Sequence, residues 1–600
     1  MPSKHTAAAA AAVLLSIGGA AANRPDSTRN AAFGNGTNGL AQQRFRSSDV
    51  VAPVLQVTSW DKSQTDDSSY IFIGASSHDK TKAAPMILSG KDLSLVYADQ
   101  QYGEVYASSV QTFNGSKYLT FWEASGGAGG NRSGDGHWLM YDSKYELKYN
   151  FTAKGSRDLR DDVPDMRVTR DDTVLLATYE TVSWDCSAVG GPADAPLQDS
   201  GFQEIDPATN EVLFAWSARE HFNLGDSFAT YDTDFGVGSP AGFDFFHLTS
   251  VEKSEDGNYL VSSSHLSALA MIDGRDGHVV WTLGGKNSDF KDMHGGNATA
   301  FAWQHDAQLV GGDEVVLFDN HGRSSTGRPA ASRGLRLRLD LEQKTVELVK
   351  EFHRPEGGVR SGSGGGVQLL KEGHAMVAWG GSDGSPAAAF VEYNKAGQPV
   401  MDVRLGSDDD ASITTHDATY RVSRHRWQGE PTWPPSVAVD APSGSTAGAT
   451  VYVSWNGATD VSHWAILASD TPDTVSHYKN VIARANRTGF ETQITLDNGE
   501  GGVSRRYIGA AALSAAGDVM GASFVYDMRT GRAVMQASGI TTVNPPVKAT
   551  AAAGAMGGSI FGVSMLFYIV NYFWRRKGGG SSAAQAAADH GAYEKVGSAV

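Results

Sequence analysis

The stretch "FFHLTSVEKSEDGNYLVSSSHLSALAMIDGRDGHVVWTLGG", Phe245 to Gly285, decides the fold. Two alternating runs flank Asp256-Gly257, an Asp-Gly pair of the kind that closes tight β-hairpins. Further strands follow, broken at a second Asp-Gly, and no helical period intervenes. The reading is an antiparallel β unit whose hairpin carries His247 and His265 at the end away from its turn.

The same unit recurs along the chain. It begins at Ser68, Ser116, Asp172, Gly257, Asp313 and Gly373, each time as β-rich runs with acidic, Gly or Asn turns. Four-stranded units repeated radially are propeller blades, and ring closure hides their strand edges. The expected class is therefore all-β, with a six-bladed β-propeller over residues 50–430; "VLQVTSW" near Val54 is expected to complete the last blade. A β-solenoid, the rival architecture, uses shorter and more regular repeats. After a Pro-rich joint from Gly429, residues 431–546 read as a fibronectin type III-like β-sandwich. Trp455 is expected in its core and Tyr507 at a tyrosine corner.

Both ends carry targeting patterns. Lys4 and His5 precede an apolar run to Ile17 and the small residues Ala20 to Ala22, so residues 1–22 read as a signal peptide. Residues 549–574 contain no charge and are long enough to cross a bilayer as one helix. Arg575-Arg576-Lys577 follows, which places the tail 575–600 in the cytoplasm. The expectation is a single-pass type I membrane protein whose ectodomain is extracellular or in the secretory lumen. Gly554, Gly558 and Gly562 have the spacing that suits pairing of two such helices into a homodimer. Sequons at Asn35, Asn114, Asn131, Asn150, Asn297 and Asn486 agree with a glycosylated ectodomain. Cys186 is the only cysteine, so no internal disulfide is possible. A formal net charge of −17 with no basic stripe argues against nucleic-acid binding.

Counting back from the turns gives the candidate site. His247 and His305 open first strands in adjacent units, and His265 and His321 close the second strands. The expectation pairs His247 with His265 and His305 with His321 on one face of the ring, with Asn320 and Arg323 beside them. Imidazoles titrate near neutral pH and serve as nucleophiles or proton carriers, and arginine holds anions. Zinc is an open alternative, although no His-x-x-x-His or carboxylate ligand spacing accompanies the histidines. Neither a metal nor a cofactor is assigned.

The segments "FFHLTSVEKSEDGNYLVSSS", "IDGRDGHVVWTLGGKNSDF", "FAWQHDAQL…VVLFDN" and "GGVQLLKEGHAMVAWG", in that order, resemble the arylsulfotransferase family in its eukaryotic, fungal-type branch. "YRVSRHRWQGEPTWPP" and "SWNGATDVSHW" fit the same branch, so the resemblance covers about residues 50 to 530. It implies transfer of a sulfuryl group from a phenolic sulfate to another phenol, without a nucleotide donor, through a sulfohistidine in the propeller channel. The substrate would be a small phenol or aryl sulfate. His247 and His305 match two active-site histidines of the family, with Asn320 and Arg323 as neighbours. The nucleophilic histidine of the bacterial enzymes has no firm match: His416 in "THDATYRV" echoes the segment around His305, and His374 lies in a blade turn. A non-enzymatic, membrane-anchored propeller that binds a wall polymer or partner protein stays open. So does a likeness of "IDGRDGHVVW" and "IDPATNEVLFAW" to quinone-cofactor dehydrogenase repeats, read more simply as blade turns.

Overall fold

Gly257, at φ +83°, turns Leu248–Lys253 back into Tyr259–Ser263, and Ala268–Ile272 and Val279–Gly284 complete an antiparallel sheet in sequence order. This meander is the repeating element. The computed structural model describes residues 42–544, apart from 54, 76–83, 103–104, 125–135, 156–158, most of 233–241, 322–330, 356–357, 383–387, 406–419, 442–443, 497–503 and 537–538. Among the described residues there are strands and single 3-10 turns but no α-helix, so the chain is all-β. Residues 1–22, the span 549–574, the tail 575–600, Arg323, His416, Asn35 and Asn131 lie outside the described residues.

Before the Leu248–Gly284 sheet stand two others, one running from Val105–Phe113 to Leu147–Phe151 and one from Leu159–Val168 to Val212–Ser217. After it come the sheet from His305–Val310 to Thr345–Phe352 and the sheet from Gly366–Leu369 to Pro399–Leu405. Leu55–Trp60 joins this last sheet as an outer fifth strand. Tyr70–Ala75, Ala84–Ser89 and Leu95–Ala98 form one more sheet, whose first strand is supplied from far away by Val422–His425. Each first strand touches the first strand of the next sheet, and Val422–His425 returns to Val105–Phe113, so these strands form a closed cycle.

Period-two alternation explains why the sheets stack. Val315 and Leu317 point to one face and pack with Leu260, Leu269 and Trp281 of the preceding sheet. Val316 and Phe318 point to the other face and pack with Val367, Val377 and Trp379 of the following sheet. Equivalent cores join the remaining neighbours, such as Trp122 and Trp138 with Leu176, and Ile71 and Ile73 with Met376 and Phe390. Each fully buried Leu, Val or Phe contributes about 1.5–3 kcal/mol, so sheets buried on both faces need no disulfide. Buried, unpaired Cys186 agrees with that.

Beyond residue 430, Ser436–Asp440, Thr450–Ser454 and Glu491–Thr495 form a small sheet that packs on a larger one built around His463–Ser469 and Tyr507–Leu513. The fully buried tryptophan here is Trp464, 1% exposed, while the expected Trp455 packs against the same core and is half-buried. The indole of Trp455 is drawn to the edge by its hydrogen bond to the Trp433 carbonyl at 2.7 Å. Tyr507 is half-buried, with Arg506 over its ring. This region is not a loose appendage: Tyr145 Oη donates to the Gly457 carbonyl at 2.7 Å, and Asn456 bonds both main-chain groups of Ala98. Asn114, Asn150, Asn297 and Asn486 are all exposed.

Candidate functional site

Buried and half-buried histidines gather where the first strands meet. Phe243–Asp244 pairs in parallel with Ala195–Ile205, which fixes Asp244 beside the start of Leu248–Lys253. His247 turns the chain between them at φ +50°, a left-handed conformation uncommon for a residue with a β-carbon. The hairpin continues past its ladder through Ser264 N–H to the His247 carbonyl at 3.0 Å and His265 N–H to the Phe246 carbonyl at 3.2 Å. The His247 and His265 rings consequently stack, with centroids 4.8 Å apart.

Asp244 orients both rings. His247 Nδ1 lies 2.6 Å from its Oδ2, and His265 Nδ1 lies 2.6 Å from its main-chain carbonyl. These oxygens accept, so each Nδ1 carries a hydrogen, which leaves Nε2 as the atom of each ring that can take up or give a proton. Burial opposes ionisation of Asp244, but His247 and His265 outweigh it and hold its carboxyl below the usual carboxylate range. Tyr179 stands edge-on to His247 at 5.8 Å, and Trp303 stands edge-on to His265 at 4.6 Å.

His305 belongs to the next sheet. Its Nδ1 lies 2.8 Å from Asn320 Oδ1 and 3.1 Å from the Trp303 carbonyl. Asn320, fully buried, commits its amide hydrogens to the carbonyls of Ser361 and Gly364 at 3.1 and 3.0 Å, so its oxygen faces the ring. His305 is therefore another Nδ1–H tautomer with a lone pair at Nε2. Burial drives its pKa down to about 3; the bond to Asn320 opposes the shift, and His247 and Arg421 reinforce it. The ring is neutral throughout the physiological range.

The expected His305–His321 pair does not form as counted. A bulge between His305 and Gln308 sets His305 opposite Phe318, so His321 N–H bonds the Ala302 carbonyl, three residues earlier. The His321 ring turns to Asp319, 3.0 Å away, which also binds Arg333. His374 bonds Glu392 at 3.3 Å, beside the buried Glu392–Arg424 pair. The residues that sequence reading missed are Asp244, Tyr179, Trp303, Tyr420 and Arg421. Tyr420 lies edge-on to His305 at 6.3 Å. Asp244, His247 and His265 also have the composition of a metal site, with ligand atoms within 4.8 Å of one another. A cation there would have to displace the bonds that Asp244 makes to both Nδ1 atoms.

Stacked antiparallel sheets with oriented imidazoles at the meeting point of their first strands define an all-β, propeller-like protein with a candidate catalytic centre. The arylsulfotransferase (ASST) family model matches residues 109–406, the part that carries these histidines, and supports placing the chain in that family. No curated protein matches the chain. Similar solved structures include a protein of unknown function from Bacteroides caccae, 12% identical over 60% of this chain and 99% of that one, TM-score 0.35. Others are the periplasmic gluconolactonase PpgL of Pseudomonas aeruginosa, 11% identical over 72% and 99%, TM-score 0.32, and the Dos1 propeller, 10% identical over 62% and 72%, TM-score 0.27.

Proposed function

We propose that the stacked sheets are the six blades of a propeller and that the chain is a nucleotide-independent aryl sulfotransferase. On this reading a signal peptide, removed after export, directs a glycosylated ectodomain into the secretory route, a C-terminal span anchors it, and residues 431–546 are a fibronectin type III-like spacer. The observation that carries the reading is His305: a buried, neutral imidazole whose lone pair is fixed at Nε2 by Asn320, in the segment the family match covers.

The reaction runs in two displacements. His305 Nε2 attacks the sulfur of an aryl sulfate; the N–S bond forms, the S–O(aryl) bond breaks, and the phenolate leaves with a proton from protonated His247 Nε2. The acceptor phenol then returns a proton to His247, its oxygen attacks sulfur, and the N–S bond breaks to regenerate His305. Asp244 steadies the His247 imidazolium, as a carboxylate does in a catalytic triad. His265 positions His247 by stacking.

The test is incubation of the purified full-length chain with a chromogenic aryl sulfate and a phenol, without added metal or nucleotide. Turnover lost in His305→Ala and His247→Ala supports the transferase. A folded protein that turns over no phenol favours a binding module instead.

A further inference from the structure

Asp306, next to the proposed nucleophile, is held from several sheets at once. Arg167 Nη2 reaches its Oδ1 at 2.8 Å, and Arg421 Nη1 approaches the same oxygen at 3.5 Å. Arg167 lies on Leu159–Val168, two first strands away in one direction around the cycle; Arg421 abuts Val422–His425, two away in the other. Gln308 Nε2 donates to Oδ2 at 2.9 Å, and a β-carbon at Gly366 would stand 2.2 Å from that oxygen. Asp306 takes up this position at φ +54°, the residue that makes the bulge. Arg421 also donates to the Thr249 carbonyl at 3.4 Å.

Guanidinium groups recognise carboxylates and tetrahedral oxyanions through the same fork of N–H donors. Two of them converge on one carboxylate beside His305, and Arg421 is close enough to act on that ring electrostatically. We propose that Arg167 and Arg421 form the subsite for the sulfonate end of an aryl sulfate, with Asp306 as the resident anion that holds the pair when the site is empty. The inference rests on the transferase reading for its ligand class. The ester's charged oxygens compete with Asp306 for the arginines, which brings sulfur beside His305 Nε2. Asp306 thus sets the affinity threshold for the incoming anion.

The test uses the full-length chain and 4-nitrobenzenesulfonate, an aryl sulfonate whose carbon–sulfur bond the histidine does not break, with affinity read by titration calorimetry. Arg421→Gln and Arg167→Gln are each expected to weaken binding about tenfold or more. Asp306→Asn, which removes the competing charge and keeps the shape, is expected to tighten it several-fold. Wild-type affinity in both folded arginine variants overturns the proposal, as does unchanged or weaker binding in folded Asp306→Asn. If Asp306→Asn does not fold, the arginine variants decide alone. Sulfonate binding that follows these variants while no sulfate ester turns over upholds the subsite and removes the transferase reading. Turnover with wild-type sulfonate affinity in both arginine variants does the reverse.

Discussion

Asn320 gives both amide hydrogens to main-chain carbonyls and thereby turns its oxygen toward His305 Nδ1, 2.8 Å away. One amide side chain, itself anchored, decides which nitrogen of the neighbouring imidazole carries the lone pair. Replacing Asn320 with Ala frees that choice and is expected to lower kcat by about two orders of magnitude, the range for a mispositioned catalytic group. The measurement is steady-state turnover of an aryl sulfate. A loss below about threefold would detach Asn320 from the chemistry.

Asp244 performs the equivalent task for His247. Asp244→Asn keeps the shape but removes the charge that supports the imidazolium. The expected outcome is a fall in kcat of about 10²-fold or more with the fold retained, in line with triad carboxylates elsewhere. Near-UV circular dichroism on the same sample separates this from unfolding.

Stability should fall in acid. Burial holds His305 at about 3 and His425 at about 4, against the ordinary 6.5. The unfolded chain takes up a proton on each near the ordinary value, whereas the fold refuses it until the lower one. Stability from these residues is therefore full above 6.5 and is lost as pH falls through the interval between. Denaturation midpoints at about pH 7 and about pH 5 read this, and His305→Asn reduces the slope by up to about one proton.

Arg354 and Asp402 form a buried ion pair at 2.7 Å, 2% and 1% exposed, between adjacent sheets. Arg354→Met removes the guanidinium that lies on the buried Asp402 carboxylate and is expected to cost about 3–5 kcal/mol. The double variant Arg354→Met/Asp402→Leu is expected to recover most of that loss. Urea unfolding of the three proteins checks both statements.

Glycan occupancy tests the secretory reading. Asn114, Asn150, Asn297 and Asn486 are exposed, so protein expressed in a eukaryotic secretory host should show mass shifts on enzymatic deglycosylation at these positions. A chain unmodified at all four would count against the expected topology.

The sheets were legible because their signal is local. Runs such as Val315-Val316-Leu317 alternate sides, and their Gly and Asp turns are adjacent in sequence. The His247–His265 stack was legible for the same reason, since one hairpin makes it. Counting from the turn failed for His321 because Asp306, at φ +54°, inserts a bulge that a regular ladder does not foresee. Asp244 escaped because a parallel pairing with Ala195–Ile205 positions it. Arg421 escaped because the strand it precedes, Val422–His425, pairs with Tyr70–Ala75 at the other end of the chain. The site's charges come from long-range pairings that leave no periodic trace.

The late arrival of Val422–His425 gives synthesis an order. A nascent chain that has emerged only as far as His374 already owns His247, His265, His305 and His321. Its circle is nonetheless open, Tyr70–Ala75 lacks the neighbouring strand Val422–His425, and Arg421 has not yet met Asp306. On the proposed function, competence arrives together with the final clasp. An interrupted translation product would carry the histidines as bystanders, so the proposed chemistry would wait on a finished polypeptide.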